Sequence, residues 1–357
     1  MRKRIVSIML AALMLLQILS MTGCSQPEPA NPGSSETHTS GTSGTTGTTA
    51  TTGTVPNNTT GTVPNNTAIT QPTQSTPPVT SVPPITTVPS QPTAPTTPST
   101  PPVDNSEMIG SLYTRAELLA MDATYNPNGY GAGVGSNGQR PGGPVSDQKK
   151  YGQYGGNFVG PDDKNIYLTF DCGYEYTATD ANGKSYRVTE RILDVLKEKN
   201  VKAVFFVTMH YVKSQPDLVQ RMVDEGHAVG NHSNTHPVMP AQTIDKMVYE
   251  VMSLHDYVKE HFGYSMTLFR PPTGAFSIQS LSVLKSLGYK TVLWSFQYYD
   301  YDTAKQLSYN QALKTVTDRH HNGAIYLLHA VSVTNAAILS DAIDSFQQNG
   351  YQLALFQ

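Results

Sequence analysis

Charge of either sign is scarce in this chain. Among 357 residues, Lys and Arg number 24 and Asp and Glu 27, a net charge of −3 and a charged fraction of 14%. Without a basic excess there is no electrostatic footprint for nucleic acid, and none is expected as a partner. So low a charged fraction implies a long uncharged tract, and no charged residue occurs between His38 and Asp104. Cysteine is scarcer still, with Cys24 and Cys172 alone. Long apolar runs are missing too: the run from Ile5 to Leu19 falls short of the roughly 20 residues that a membrane-spanning helix needs.

What is present at the N-terminus is an export signal. Arg2, Lys3 and Arg4 precede the apolar run, and Met21-Thr22-Gly23-Cys24 follow it. A basic patch, a short apolar core and small residues before a cut site are its three parts. The last four residues resemble a bacterial lipoprotein cleavage box, which implies that Cys24 becomes a lipidated N-terminus. Two or more acyl chains there would anchor the protein stably. Residues 1–23 are then a signal peptide, and the mature protein is extracytoplasmic and held at the cell membrane. Cys172 becomes the only free thiol, so no intrachain disulfide forms even in an oxidising compartment.

Residues 24–106 read as a stalk. Thr, Pro, Ser and Gly dominate, and TGTVPNNT occurs at 52–59 and again at 60–67. There is too little apolar side chain to offset the entropy of ordering. As a flexible coil such a tract spans on the order of 50 Å. Residues 107–156 are transitional: a short helix is expected over Ser111–Met121, and the Gly-, Asn- and Pro-rich remainder is given no regular structure.

From residue 157 to 357 the pattern is that of a folded α/β domain. Strand-length apolar runs at Asn165–Phe170, Ala203–Val207, Ala228–Asn231, Leu268–Arg270, Thr291–Trp294, Ala324–Leu328 and Gln352–Leu355 alternate with helical stretches. The helical stretches are Thr189–Lys199, Pro216–Glu225, Thr243–His261, Ile278–Leu287, Gln311–His320 and Asn335–Gln348. Repeated strand–helix alternation predicts a parallel sheet with helices outside, here a distorted (β/α) barrel of about seven strands. In such barrels function gathers at the C-terminal ends of the strands.

Those ends carry the chemistry. The first strand runs into Asp171-Cys172-Gly173, the third into His232-Ser233-Asn234-Thr235-His236-Pro237, and the fourth into Arg270-Pro271-Pro272-Thr273-Gly274. The fifth reaches Trp294 and then Asp300-Tyr301, and the sixth ends Leu327-Leu328-His329. Each feature has a bland reading. A lone Asp after a strand is usually a turn or cap residue, and a histidine pair four apart is more often surface than ligand. Pro237 ends any helix there, which leaves the pair on a single turn. It is the conjunction on one rim that is specific.

In order, TFD, HSxxHP, RPPxG and LLH make the region Ile166–Gln357 resemble the polysaccharide deacetylase family (carbohydrate esterase family 4, with its chitooligosaccharide-deacetylase homology domain). Gly173-Tyr174-Glu175, Asp224-Glu225-Gly226-His227, Arg270-Pro271-Pro272 and Ala324–His329 are similar to its muramic-acid deacetylase branch. The resemblance implies a hydrolase that removes N-acetyl groups from a cell-wall glycan, peptidoglycan N-acetylmuramic acid before chitooligosaccharide or xylan. It implies His232 and His236 as ligands of a divalent metal, Zn²⁺ first, that polarises the acetamide and its attacking water. Asp171 is then the general base, Arg270 its partner, His329 the general acid and Asp300 the residue that orients it. Leu327, Trp294, Tyr174 and Tyr301 would bind substrate, Leu327 beside the acetyl methyl. Two positions depart from the family. Tyr301 stands where tryptophan is usual, and Cys172 where most members carry a metal-binding aspartate; a thiolate there would be a good third ligand for zinc. A monomer is expected. The opposing reading, a sugar-binding module without catalysis, sits poorly with the survival of Asp171, Arg270, Asp300 and His329.

Overall fold

The computed structural model describes residues 104–135 and 138–357; the expected signal peptide, Cys24 and most of the stalk lie outside them. The strands of the main sheet are β1 (Gly156–Asn157), β2 (Asn165–Cys172), β3 (Val204–Val207), β4 (Ala228–Asn231), β5 (Leu268–Phe269), β6 (Lys290–Val292), β7 (Ala324–His329) and β8 (Gln352–Leu353). The long helices between and after them are α1 (Val188–Glu198), α2 (Pro216–Asp224), α3 (Ile244–Phe262), α4 (Ile278–Ser286), α5 (Tyr309–Thr317) and α6 (Val333–Gln348). Every pairing in this sheet is parallel, in the order β7-β2-β3-β4-β5-β6-β1, and β8 pairs with the start of β2. Beyond β6, Phe296 bridges Tyr326 of β7. The curled sheet thereby meets itself, and the expected barrel is present in distorted form.

The sheet is buried on both faces, which is why its strands read as nearly continuous apolar runs. Side chains alternate between the two faces with period two. Ile166, Leu168, Phe170 and Cys172 of β2, Phe205 and Val207 of β3, and Tyr326 and Leu328 of β7 pack outward into the core beneath the helices. Tyr167, Val204, Phe206, Ile325 and Leu327 pack inward with Phe158, Leu293 and Trp294. Gly230 is required by this inner packing, because a Cβ there would stand 2.4 Å from the Phe206 ring.

The transitional segment belongs to the fold, which corrects the boundary expected at 157. The described residues, from 104 to 357, fall in one compact unit. Leu118 is fully buried, its carbonyl accepts from Gln279 Nε2 at 2.9 Å, and Ser111 N–H donates to the Ser286 carbonyl at 2.8 Å. The expected helix is shorter, Arg115–Leu119, with Thr114 and Glu117 forming a capping box. A further helix, Gly142–Tyr151, and strand β1 were given no structure in the sequence reading, because Gly and Pro there conceal any periodicity.

Candidate active site

The site is built on the inward-facing residues where β2, β4, β5 and β7 end. Asp171 follows Thr169 on the inner face of β2, buried to 9% exposure. Arg270, at the end of β5, is wholly buried. Its Nη1 donates to Asp171 Oδ1 at 2.8 Å, and its Nε and Nη2 donate to the Val292 and Leu293 carbonyls at 3.1 and 3.3 Å. The guanidinium lies 4.2 Å from the Phe206 ring centroid, the ring for which Gly230 leaves room. All three directions of the fork are thus fixed, and Asp171 cannot swing away. Burial pushes the Asp171 carboxyl up, but Arg270, with His232 and His329, outweighs it and holds the group below its ordinary value.

The two histidines sit on an irregular loop after β4, not on a helical turn. His232 Nδ1 lies 2.8 Å from the Arg270 carbonyl. A carbonyl only accepts, so Nδ1 carries the proton and Nε2 presents its lone pair, 3.6 Å from Asp171 Oδ2. Burial holds the His232 pKa at about 4, so the ring is neutral. The His236 ring is centred 4.9 Å away. Ser233 and His236 both take the left-handed conformation, at φ 70° and 59°, an arrangement that costs about 1 kcal/mol or more per residue unless its surroundings impose it. They do so here. Asn231 Oδ1 accepts from Ser233 N–H at 2.8 Å, and Ser233 Oγ accepts from His236 N–H at 3.0 Å. Glu250, fully buried on α3, accepts from both the N–H and the hydroxyl of Thr235, each at 2.7 Å.

On the opposite wall, His329 ends β7. Asp300 is fully buried at its side chain; its Oδ1 pairs with His329 Nδ1 at 2.7 Å, and its Oδ2 accepts from His329 N–H at 2.8 Å and from Asn335 Nδ2 at 2.6 Å. Burial pulls the His329 pKa down, but the Asp300 carboxylate, with Asp171 beyond it, prevails and holds it above the usual imidazole value. The Tyr301 ring stands 5.5 Å from the His329 ring.

Asp171, His232, His236, Tyr301 and His329 together line two adjoining cavities. One, of about 610 Å³, continues past Tyr174, His210 and Asn234. The other, of about 450 Å³, continues past Leu327, Trp294, Gln297 and Tyr130. Every expected site residue among those described reaches this cleft or the shell behind it except Cys172. That residue faces outward among Phe170, Phe205 and Tyr211, fully buried, and lines neither cavity. Burial, with Glu175 and Asp171, drives its thiol pKa well up. The expected third ligand is therefore corrected: adjacency to Asp171 in a strand puts Cys172 on the opposite face. Among the described residues no three His, Cys, Asp or Glu side chains cluster with metal-binding geometry. The two imidazoles, His232 with its free nitrogen turned into the cleft and His236 beside it, fit a divalent cation.

Sequence reading missed Glu250, Asn335 and Tyr130. Glu250 had a signal: it is a carboxylate on the apolar face of α3, in step with Met247, Val251 and Leu254. Asn335 and Tyr130 reach the site only through tertiary packing.

Residues 159–292 match the family described as Polysaccharide deacetylase. An uncharacterised 30.6 kDa protein of Geobacillus stearothermophilus is 45% identical over 201 residues, 56% of this chain and 72% of its own. The peptidoglycan-N-acetylmuramic acid deacetylase PdaA of Bacillus subtilis is 44% identical over 190 residues, 53% of this chain and 68% of its own. The solved structure of that Bacillus subtilis PdaA, described as a family 4 carbohydrate esterase, is similar at a TM-score of 0.58 and 39% identity, over 64% of this chain and 96% of that one. With this fold, these strand-end residues and relatives covered over more than two thirds of their length, the chain belongs to the polysaccharide deacetylase family, carbohydrate esterase family 4.

Proposed function

We propose that this protein hydrolyses the N-acetyl group of a cell-wall glycan, peptidoglycan N-acetylmuramic acid first, releasing acetate and leaving the free amine on the sugar. The observation that carries the reading is the pairing across one cleft of a carboxylate whose ionised form Arg270 favours and an imidazole whose charged form Asp300 favours. The similarity to PdaA favours the muramic-acid sugar. His232 and His236 would hold a divalent cation, zinc by the chemistry of imidazole donors, and when bound it supplies Lewis-acid polarisation of the acyl carbonyl and the attacking water.

The chain's own residues do the rest. Asp171 takes the proton from the water as it attacks the acyl carbon. Arg270 fixes that carboxylate and keeps it charged. His329 gives its Nε2 proton to the departing nitrogen, with Asp300 holding Nδ1–H and favouring the charged ring. Leu327 and Trp294 offer an apolar wall to the acetyl methyl, and Tyr174 and Tyr301, both about half exposed, flank the cleft as faces for sugar rings. Lipidation at Cys24 would hold the enzyme at the outer face of the membrane, with the stalk giving it reach into the wall. Cys24→Ala should release the protein into the medium, and retention at the membrane would contradict the anchor.

The test of the activity is incubation with purified glycan strands, with and without stem peptide, followed by mass spectrometry of the digested fragments. Loss of 42 Da, the mass exchanged when acetyl is replaced by hydrogen (about 42 by atomic mass), on the muramic unit is expected. Loss confined to glucosamine would correct the sugar, and no loss from any glycan would sink the activity.

A further inference from the structure

A third cavity, of about 580 Å³, adjoins the cleft, with Tyr130 and Gly274 in the walls of both. It is built almost entirely by residues 122–151 together with the loop after Arg270, and the former lie ahead of the family-matched residues 159–292. Local chemistry sets its shape. Asp122 Oδ1 accepts from Thr124 N–H at 2.8 Å. Asn126 closes a turn by accepting from Asn128 N–H at 3.0 Å and donating to the Gly129 carbonyl at 2.8 Å. Gly129, at φ 77°, lies so close to the RPPTG loop that a Cβ would stand 2.0 Å from the Thr273 carbonyl oxygen. The turn is therefore pinned beside the catalytic rim. Tyr130 then wedges between Phe158 and Trp294, 5.3 and 5.4 Å centre to centre. The helix Gly142–Tyr151 supplies the far wall, with Tyr151 edge-on to Phe276 at 5.1 Å.

The lining chemistry identifies a ligand class. Tyr125 is half-buried and offers aromatic surface, while the Tyr151 ring carries Lys150 Nζ 4.6 Å from its centroid. Asp122, Asp147 and Asn126 offer hydrogen-bond acceptors, and Lys150 a single cation. One ammonium against two carboxylates disfavours a phosphate or other anion. Aromatic surface interleaved with carboxylates and an amide suits a neutral, hydroxyl-rich ring, whose C–H faces stack and whose edges hydrogen-bond. On the reading that this protein deacetylates a glycan, we propose that this cavity is a further sugar subsite, occupied by another unit of the strand whose acetamide lies at Asp171. The cleft then continues past Gly274 into a site contributed by the segment ahead of the family-matched residues. Binding there is remote from the reacting bond, so its energy appears in the transition state of long substrates and is absent for short ones.

The experiment is steady-state acetate release by the whole soluble chain from peptidoglycan oligosaccharides of graded length, for the native protein, Tyr125→Ala and Asp122→Asn. Both side chains lie outside the catalytic machinery, and thermal melts establish that each variant is folded. The native kcat/KM should rise about tenfold or more from the shortest cleaved oligosaccharide to the longest. In Tyr125→Ala most of that rise should vanish while the shortest substrate is turned over as before, and Asp122→Asn should show a smaller loss of the same kind. Folded variants that keep the native length dependence, or that lose the same factor at every length, overturn the subsite and leave the deacetylase reading standing. A native protein that releases no acetate at any length overturns both.

Discussion

Asp300 accepts three hydrogen bonds, two of them from His329 and one from Asn335. An anion so placed has one evident consequence for its imidazole partner: it favours the charged ring. If His329 is the acid, turnover is lost as pH rises through its pKa, which lies above the ordinary value of about 6.5. Asp300→Asn removes the charge and keeps the shape, so the alkaline limb of kcat/KM should move to lower pH, with turnover reduced at pH 8 more than at pH 6. An alkaline limb that stays put would take the acid role from His329. Cys172 makes the complementary case, a neighbour of Asp171 that packs on the opposite face of the sheet. Cys172→Ala should leave bound metal and kcat unchanged and lower stability by roughly 1 kcal/mol. X-ray absorption on the zinc-loaded domain should show nitrogen and oxygen neighbours alone; a sulfur shell at about 2.3 Å would restore the thiolate. The residue types of the site were legible because strand ends, Pro pairs and a histidine pair have few joint explanations. The direction of Cys172 was not, although the period of a strand already separates it from Asp171.

At the scale of elements, the loop after β4 is held by a helix that lines neither of the two cleft cavities. Glu250 on α3 gives both carboxylate oxygens to Thr235, one residue before His236, while its backbone carbonyl accepts from Asn234 N–H at 3.0 Å. Glu250→Ala would remove both charge-assisted hydrogen bonds to Thr235, a loss of about 2 kcal/mol, and release a loop that carries two left-handed residues. Metal affinity should fall about 10- to 100-fold, with kcat recovering at saturating metal, and Glu250→Gln should recover much of the affinity. Unchanged metal affinity in a folded Glu250→Ala protein would reduce the clamp to a packing contact. The seven strands expected from alternation were all legible, since each is a short apolar run bounded by turn residues. β1 was not: Gly156 and Asn157 have no apolar pattern, and they form a strand only because Thr291 and Val292 of β6 lie alongside.

At the scale of the molecule, the sequence suggested a boundary near 157, and the structure moves it N-terminal. Residues 104–156 cover α4, extend the sheet and place Tyr130 in the cleft. A chain of residues 157–357 should therefore aggregate or melt far below one of residues 104–357, because its loss bares Phe158, Phe276 and the edge of β6. Equal melting temperatures would return the segment to the status of a linker. That boundary was hidden for a physical reason: a segment that packs as a strap on a finished core needs little periodicity of its own.

The central claim is that two imidazoles hold a metal that serves Asp171 in hydrolysis. The most direct measurement is acetate release from peptidoglycan strands by residues 104–357 after exhaustive chelation and stepwise return of zinc, with metal content measured at each step, for the native chain and Asp171→Asn. Activity of the native chain should fall to background on chelation and return in proportion to bound metal, reaching its plateau at one metal per chain. Asp171→Asn should bind the same metal and turn over about 100-fold or more slowly, the usual contribution of a general base. Full activity in the metal-free chain, or native turnover by Asp171→Asn, would contradict the account.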